Sequence, residues 1–216
     1  RVPFPVVHVD TGRKFAEMYA HRERYAREWG LDLVLGDCQP IESIDPSLPP
    51  AARSAARKTA GLKALVAARG YAGLIVGIRR DEEATRAKER IFSPRNEDGQ
   101  WDLHDQPIEI WDHYRTTFPP GTHIRIHPLL HWPELDVLKY IARGKIPVVD
   151  LYFARGSKRY RWLGDKDITS PVASNAATID EIIAELETTT VSERSGLAMD
   201  HATEDAFERL RRDGVL

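Results

Sequence analysis

Apolar positions recur along the first eighty residues in two alternating rhythms. Pro5 to Val9 is a short apolar run that closes on His8-Val-Asp-Thr-Gly12 and reads as a buried strand. Phe15, Met18, Tyr19, Arg22, Tyr25, Ala26 and Trp29 follow at helical spacing, and Gly30 stops that helix. Leu31 to Leu35 predicts a second strand, and Cys38 to Pro50 a loop rich in proline and acid. Ala51 to Arg69 is an alanine-rich helix ended by Gly70, and Leu74 to Val76 is a third strand. Strand, helix, strand, helix, strand predicts an α/β fold with a mostly parallel sheet and crossover helices. In such sheets ligands sit beyond the carboxyl ends of the strands. The loops at Asp10-Thr-Gly12 and Gly77 to Glu83 are therefore the first places to look, and a doubly wound sheet can set them side by side.

The rhythm weakens from Asn96 to Gly121, which reads as loop. Thr122 to His127 alternates like a strand, with Ile124 and Ile126 on one face and His123, Arg125 and His127 on the other. Pro133 sits where a helix begins, and that helix runs to Ala142. Ile146 to Tyr152 predicts a further extended segment. Thr178-x-x-Glu181 is a capping box opening a helix to about Thr188. A last amphipathic helix spans Met199 to Arg212. The chain divides on this reading into a nucleotide-binding α/β region over residues 1–150 and a C-terminal, largely helical extension over residues 151–216.

Composition narrows the classes. The 216 residues suit one sizeable domain, with 42% apolar and 30% charged residues and a net charge of −2, so any anion site is local rather than global. That balance points to neither nucleic acid nor membrane as partner, and no stretch approaches the roughly 20 apolar residues of a membrane span. The lone Cys38 excludes an internal disulfide and a cysteine-built zinc or iron–sulfur cluster, and fits a cytoplasmic protein. The N-terminus, Arg1-Val-Pro-Phe-Pro-Val-Val7, is not a signal peptide and enters a strand almost at once, which predicts further sequence upstream.

The third strand opens onto a dense charged block. Arg79, Arg80, Arg86, Lys88, Arg90 and Arg95 stand among Asp81, Glu82, Glu83 and Glu89. One reading is a solvated helix laced with ion pairs such as Glu82 with Arg86. The other is a polyanion site, with carboxylates orienting the arginines or holding magnesium. Its place after a strand, its leading Gly77 and the planar fork of arginine favour the second.

Five stretches then carry a resemblance over nearly the whole chain: Phe4-Pro-Val-Val-His-Val-Asp-Thr-Gly12, Gly77 to Ser93, Ile124-Arg-Ile-His-Pro-Leu129, Arg159-Tyr-Arg-Trp-Leu-Gly164 and Thr190-Val-Ser-Glu-Arg194. In this order they resemble the small, ATP-pyrophosphatase-type subunit of bacterial sulfate adenylyltransferase. The resemblance implies an adenine nucleotide α-hydrolase-like, Rossmann-like fold. It implies adenylyl transfer from ATP to sulfate, with magnesium, giving adenosine 5′-phosphosulfate and pyrophosphate, beside a larger GTPase subunit; the last amphipathic helix either packs on its own domain or docks to that subunit or to a second copy of the chain. It places Arg79, Arg80, Arg86 and Arg90 on sulfate or phosphate, and Asp10, Thr11 and Gly12 near the nucleotide; His8 is either a core histidine or part of that pocket, and Gly77 allows a ligand close to the backbone. Lys58 is a further candidate whose place on the alanine-rich helix equally suits a solvated lysine.

Departures from the family keep alternatives open. Its phosphate-binding loop, a Ser-x-Gly-Lys-Asp-Ser type sequence, is absent and is expected upstream. Gly164-Asp-Lys-Asp167 replaces a glycine–cysteine pair common in relatives, and Leu197 stands where they carry arginine. The chain is then a sulfate adenylyltransferase, a nucleotidyltransferase of the same fold with another acceptor, or a non-catalytic partner of a GTPase. A sulfonucleotide reductase needs a C-terminal nucleophilic cysteine that this chain lacks. His123, His127 and His131 are spaced by four, but on a strand only the first two share a face, so no metal site is assigned to them.

Overall fold

The computed structural model describes residues 2–82, 86, 89–96, 101, 106–191 and 193. The chain opens with β1 (Val6–Asp10), α1 (Ala16–Glu28), β2 (Leu33–Asp37), α2 (Pro50–Arg69) and β3 (Gly73–Ile75). Then come β4 (Phe92–Arg95), β5 (His123–Ile126), α3 (Glu134–Gly144), β6 (Lys158–Arg159), β7 (Val172–Ala173) and α4 (Ile179–Thr188). The helix stops are those predicted: Gly30 and Gly70 both adopt left-handed φ, of 60° and 64°.

Two parallel pairs form the frame. β1 pairs with β2 from Val6↔Leu33 to Asp10↔Asp37, and β3 pairs with β5 from Gly73↔Ile124 to Ile75↔Ile126. These pairs belong to separate ladders, in the orders β1-β2 and β3-β5-β4. Helix α2 lies against β1 and β2 so closely that a Cβ on Gly61 would come within 2.9 Å of the Asp37 carbonyl and 3.1 Å of Val9. That approach is why an otherwise helix-weakening glycine stands in mid-helix.

Two elements differ from the sequence reading. Residues 92–95, inside the charged block, form strand β4, antiparallel to β5. Its polar residues point inward: Ser93 and Arg95 are buried while Phe92 and Pro94 are less so. Pro94 is tolerated because β4 is an edge strand. The second difference is Ile146 to Tyr152, expected to be extended. Asp150–Tyr152 is a 3-10 turn closed by Tyr152 N–H to the Val149 carbonyl and Phe153 N–H to that of Asp150, both near 3 Å.

Residues beyond 150 are tied back to the frame. Phe15 meets Tyr160 edge-on at 5.0 Å, and Arg161 grips Glu134 at the start of α3 with both Nε and Nη2. The amide of Lys166 donates to the Arg13 carbonyl at 2.9 Å. Helix α4 carries its predicted capping box: Thr178 Oγ1 accepts from the Glu181 amide at 3.2 Å, and the Glu181 carboxylate accepts from the Thr178 amide at 3.1 Å. Thr178→Ala should cost about 1 kcal/mol, or roughly 2–4 °C in melting temperature for a chain of this size; thermal unfolding checks it. The predicted helix at Met199 to Arg212, with Leu197, lies outside the described residues.

Candidate functional site

The carboxyl ends of β1, β3 and β5 meet around one cavity of about 210 Å³. Val9 closes it from β1, Val76 and Ile78 from just past β3, and Leu62 from α2. Into this apolar cup project Lys58 from α2, Arg86 and Glu89 from the charged block, and Arg125 and His127 from β5 and its end. Three cations and a histidine thus face one carboxylate. A water occupies about 30 Å³, so the space suits a sulfate or one phosphate group with some water, and falls short of the ~300 Å³ at which whole-ligand pockets begin.

The polar face of β5 builds this wall. In the β4·β5 register Ser93 stands opposite Arg125 and Arg95 opposite His123, so the polar side chains of both strands share one side. Arg125 reaches the cavity with a buried Nε that has no hydrogen-bond partner among the described residues. Burial holds its guanidinium below the usual arginine range, Glu89 opposing and Arg86 assisting. His127 is 1% exposed. Its Nδ1 contacts the Arg90 carbonyl at 2.8 Å, and a carbonyl only accepts, so Nδ1 carries the proton. Burial also lowers the His127 pKa, which leaves a neutral ring with Nε2 as acceptor.

Of the residues expected at the site, Lys58 and Arg86 are brought together here. Arg79 points elsewhere: its Nε donates to Asp81 at 2.9 Å and its Nη2 pairs with Glu193. Arg80 donates from Nη2 to the Glu89 carbonyl at 3.0 Å and meets His131 Nδ1 at 3.2 Å. Arg90 donates from Nε to the Pro107 carbonyl at 3.0 Å. Gly77 has no strained φ, and a Cβ there would make an ordinary 3.9 Å contact with Leu129, so nothing among the described residues demands glycine.

The β1 end is organised by α1 and by a distant loop. Asp10 accepts from the Gly12 amide at 2.8 Å and the Tyr19 hydroxyl at 2.7 Å, with Arg22 at 3.4 Å. Arg22 also donates to His8 Nδ1 at 2.6 Å. Gly12 turns the chain at φ 72° with open space where a side chain would be. Thr11 instead is buried, and donates to Asp165 at 2.7 Å. Sequence reasoning had Asp165 only as a departure from relatives and did not consider Lys14. Glu89 stands in that reading only among the block's carboxylates, and Arg125 and His127 only on one face of a strand; none of these five is among its candidate site residues.

The chain matches the phosphoadenosine phosphosulfate reductase domain over residues 1–171. It is 38% identical to sulfate adenylyltransferase subunit 2 of Rhizobium johnstonii over 99% of this chain and 78% of that protein. The protein of the same name from Saccharophagus degradans is 37% identical over 98% of this chain and 80% of its own length. That from Xanthomonas oryzae pv. oryzae is 38% identical over 99% and 82%. Among solved structures the chain is similar to FMN adenylyltransferase of Candida glabrata, in complex with FAD and inorganic pyrophosphate. The TM-score is 0.51 at 15% identity, over 78% of this chain and 43% of that one, a likeness of fold.

Proposed function

The chain belongs to the sulfate adenylyltransferase subunit 2 family and matches the phosphoadenosine phosphosulfate reductase domain, and from this we infer that it transfers the adenylyl group of ATP to sulfate. The fold is adenine nucleotide α-hydrolase-like. In the reaction a sulfate oxygen attacks the α-phosphorus, the bond to the β-phosphate oxygen breaks, and pyrophosphate leaves with the electron pair.

The observation that supports this reading best is the cavity at the strand ends. Sulfate is a weak nucleophile and the reacting partner is also an anion, so positioning and charge stabilisation must supply most of the rate. Lys58, Arg86 and Arg125 gather cations within apolar walls, where each charge acts in a lower dielectric than water. The cavity's size fits the anionic end of a reactant and leaves the adenosine outside it. His8, Asp10, Thr11 and Gly12 offer the neighbouring β1 turn for that part.

Magnesium enters this proposal as a companion of the ATP phosphates. Among the described residues no group of three or more His, Cys, Asp and Glu side chains is assembled around a metal, and no step here is routed through one. The relatives' naming as subunit 2 supports a partner subunit, which we take to be a GTPase large subunit in the cytoplasm. Among the described residues no helix is long and apolar enough to cross a membrane.

The test is pyrophosphate release by the full-length protein with ATP and magnesium, with and without sulfate, and with and without the partner subunit. Release is expected only with sulfate. Release that ignores sulfate but follows another acceptor such as FMN would replace this reading with the nucleotidyltransferase alternative. No release under any condition would leave the non-catalytic partner reading.

A further inference from the structure

Asp165 is 2% exposed and sits at a junction of three segments that are remote in sequence. One carboxylate oxygen accepts from Thr11 Oγ1 at 2.7 Å and from Lys14 Nζ at 2.9 Å. The other accepts from Ser54 Oγ and faces Lys58 Nζ at 3.4 Å. The loop that brings it is pinned on both sides. Thr169 Oγ1 bridges the Gly164 amide and the Asp165 carbonyl at 3.0 and 2.8 Å, and the Lys166 amide donates to the Arg13 carbonyl. A rigid carboxylate therefore stands between two lysines, one of which lines the cavity.

We propose that Asp165 is a positioning residue: by sharing its carboxylate between Lys14 and Lys58, it keeps Lys58 protonated and turned toward an oxyanion in the cavity. The inference rests on the anion-binding reading above and adds a device to it. Lys14 is the other half of that device. It is a second cation beside Lys58 that Asp165 must offset, and its Nζ donates to the same oxygen as Thr11.

The electrostatics fit this geometry. Burial is the largest influence on Lys58 and lowers its pKa; Lys14 lowers it further, and Asp165 opposes both. For Asp165, burial alone would raise the pKa, but Ser54, Lys58, Lys14 and Thr11 outweigh it and hold the carboxylate far below its usual range. Among the described residues, the other charged and titratable groups around Lys58 are Cys38 after β2 and Arg86, Glu89, Arg125 and His127 across the cavity. None of these hydrogen-bonds Lys58 in place of Asp165.

The sign of the effect follows. Lys58 binds an anion when protonated, so binding falls as pH rises through its pKa. Removing the carboxylate charge lowers that pKa and moves the alkaline limb to lower pH. Removing the neighbouring ammonium does the reverse.

The experiment is calorimetric binding of inorganic sulfate to the full-length protein from about pH 7 to pH 11, around the ordinary lysine range. Wild type, Asp165→Asn and Lys14→Met are compared, with thermal unfolding alongside. The alkaline limb should shift down by about one pH unit in Asp165→Asn and up in Lys14→Met, the opposed signs expected of coupled charges. A merely structural role lowers the melting temperature without moving either limb, and that result overturns the proposal. If Asp165→Asn fails to fold, Lys14→Met decides alone. Absence of sulfate binding in the wild type overturns it as well. Opposed shifts in a protein that shows no sulfate-dependent pyrophosphate release would keep the Asp165 device and discard the adenylyl-transfer reading.

Discussion

Lys58→Met should lower kcat/KM for sulfate-dependent pyrophosphate release by about 10²- to 10³-fold, the scale of losing one preorganised charge donor in an enclosed site. Methionine keeps the length and apolar stem of the side chain and removes the ammonium. The melting temperature should change little, because Asp165 retains Thr11, Lys14 and Ser54. Arg79→Ala is the contrast. Its guanidinium is already held by Asp81 and Glu193, so its removal should cost less turnover than the loss of Lys58. Steady-state assays of the two variants with sulfate as the varied substrate decide the matter. If Arg79→Ala is the more damaging, the anion is gripped at the opening of the charged block and not in the cavity.

That contrast marks where sequence reading stops. Charge density in the block from Arg79 to Arg95 points to an anion site, but not to which guanidinium meets an internal acid first. Arg79, Arg80 and Arg90 find Glu193, the Glu89 carbonyl and the Pro107 carbonyl, partners invisible in local spacing. The face of β5 was legible, because Arg125 and His127 alternate with Ile124 and Ile126 and the period of two is local. So were α1, α2 and the capping box of α4, whose stop and start signals lie within a few residues. Strand β4 was not, since its buried side chains are Ser93 and Arg95 while Phe92 and Pro94 are only half-buried, the reverse of the usual pattern. Asp165 was the hardest to read. It joins Lys14 across a separation of 151 residues and Ser54 across 111, and no periodicity encodes such a contact.

The inverted polarity of β4 gives the largest expected loss of stability. Arg95 and Glu89 are each 1% exposed, with Nη2 and Oε1 3.7 Å apart. Ser93 links them, accepting from Arg95 Nη1 at 2.7 Å and donating to Glu89 at 3.2 Å, and the guanidinium lies 5.9 Å from the Trp101 ring. Truncating one partner of such a pair leaves the other's charge buried, which costs about 3–5 kcal/mol. Arg95→Ala should therefore lower the melting temperature by on the order of 10 °C at this chain length. Below the transition, turnover per folded molecule should fall far less than in Lys58→Met, because Arg95 does not line the cavity at the strand ends. The double variant Glu89→Gln/Arg95→Met should recover only part of the lost stability, because Glu89 is also the carboxylate that faces Arg86 and the buried Arg125. Thermal unfolding of the single and double variants checks this. If Arg95→Ala unfolds near the wild-type temperature and instead abolishes sulfate-dependent release, Arg95 belongs to the chemistry and the buried pair is not what holds β4 in place.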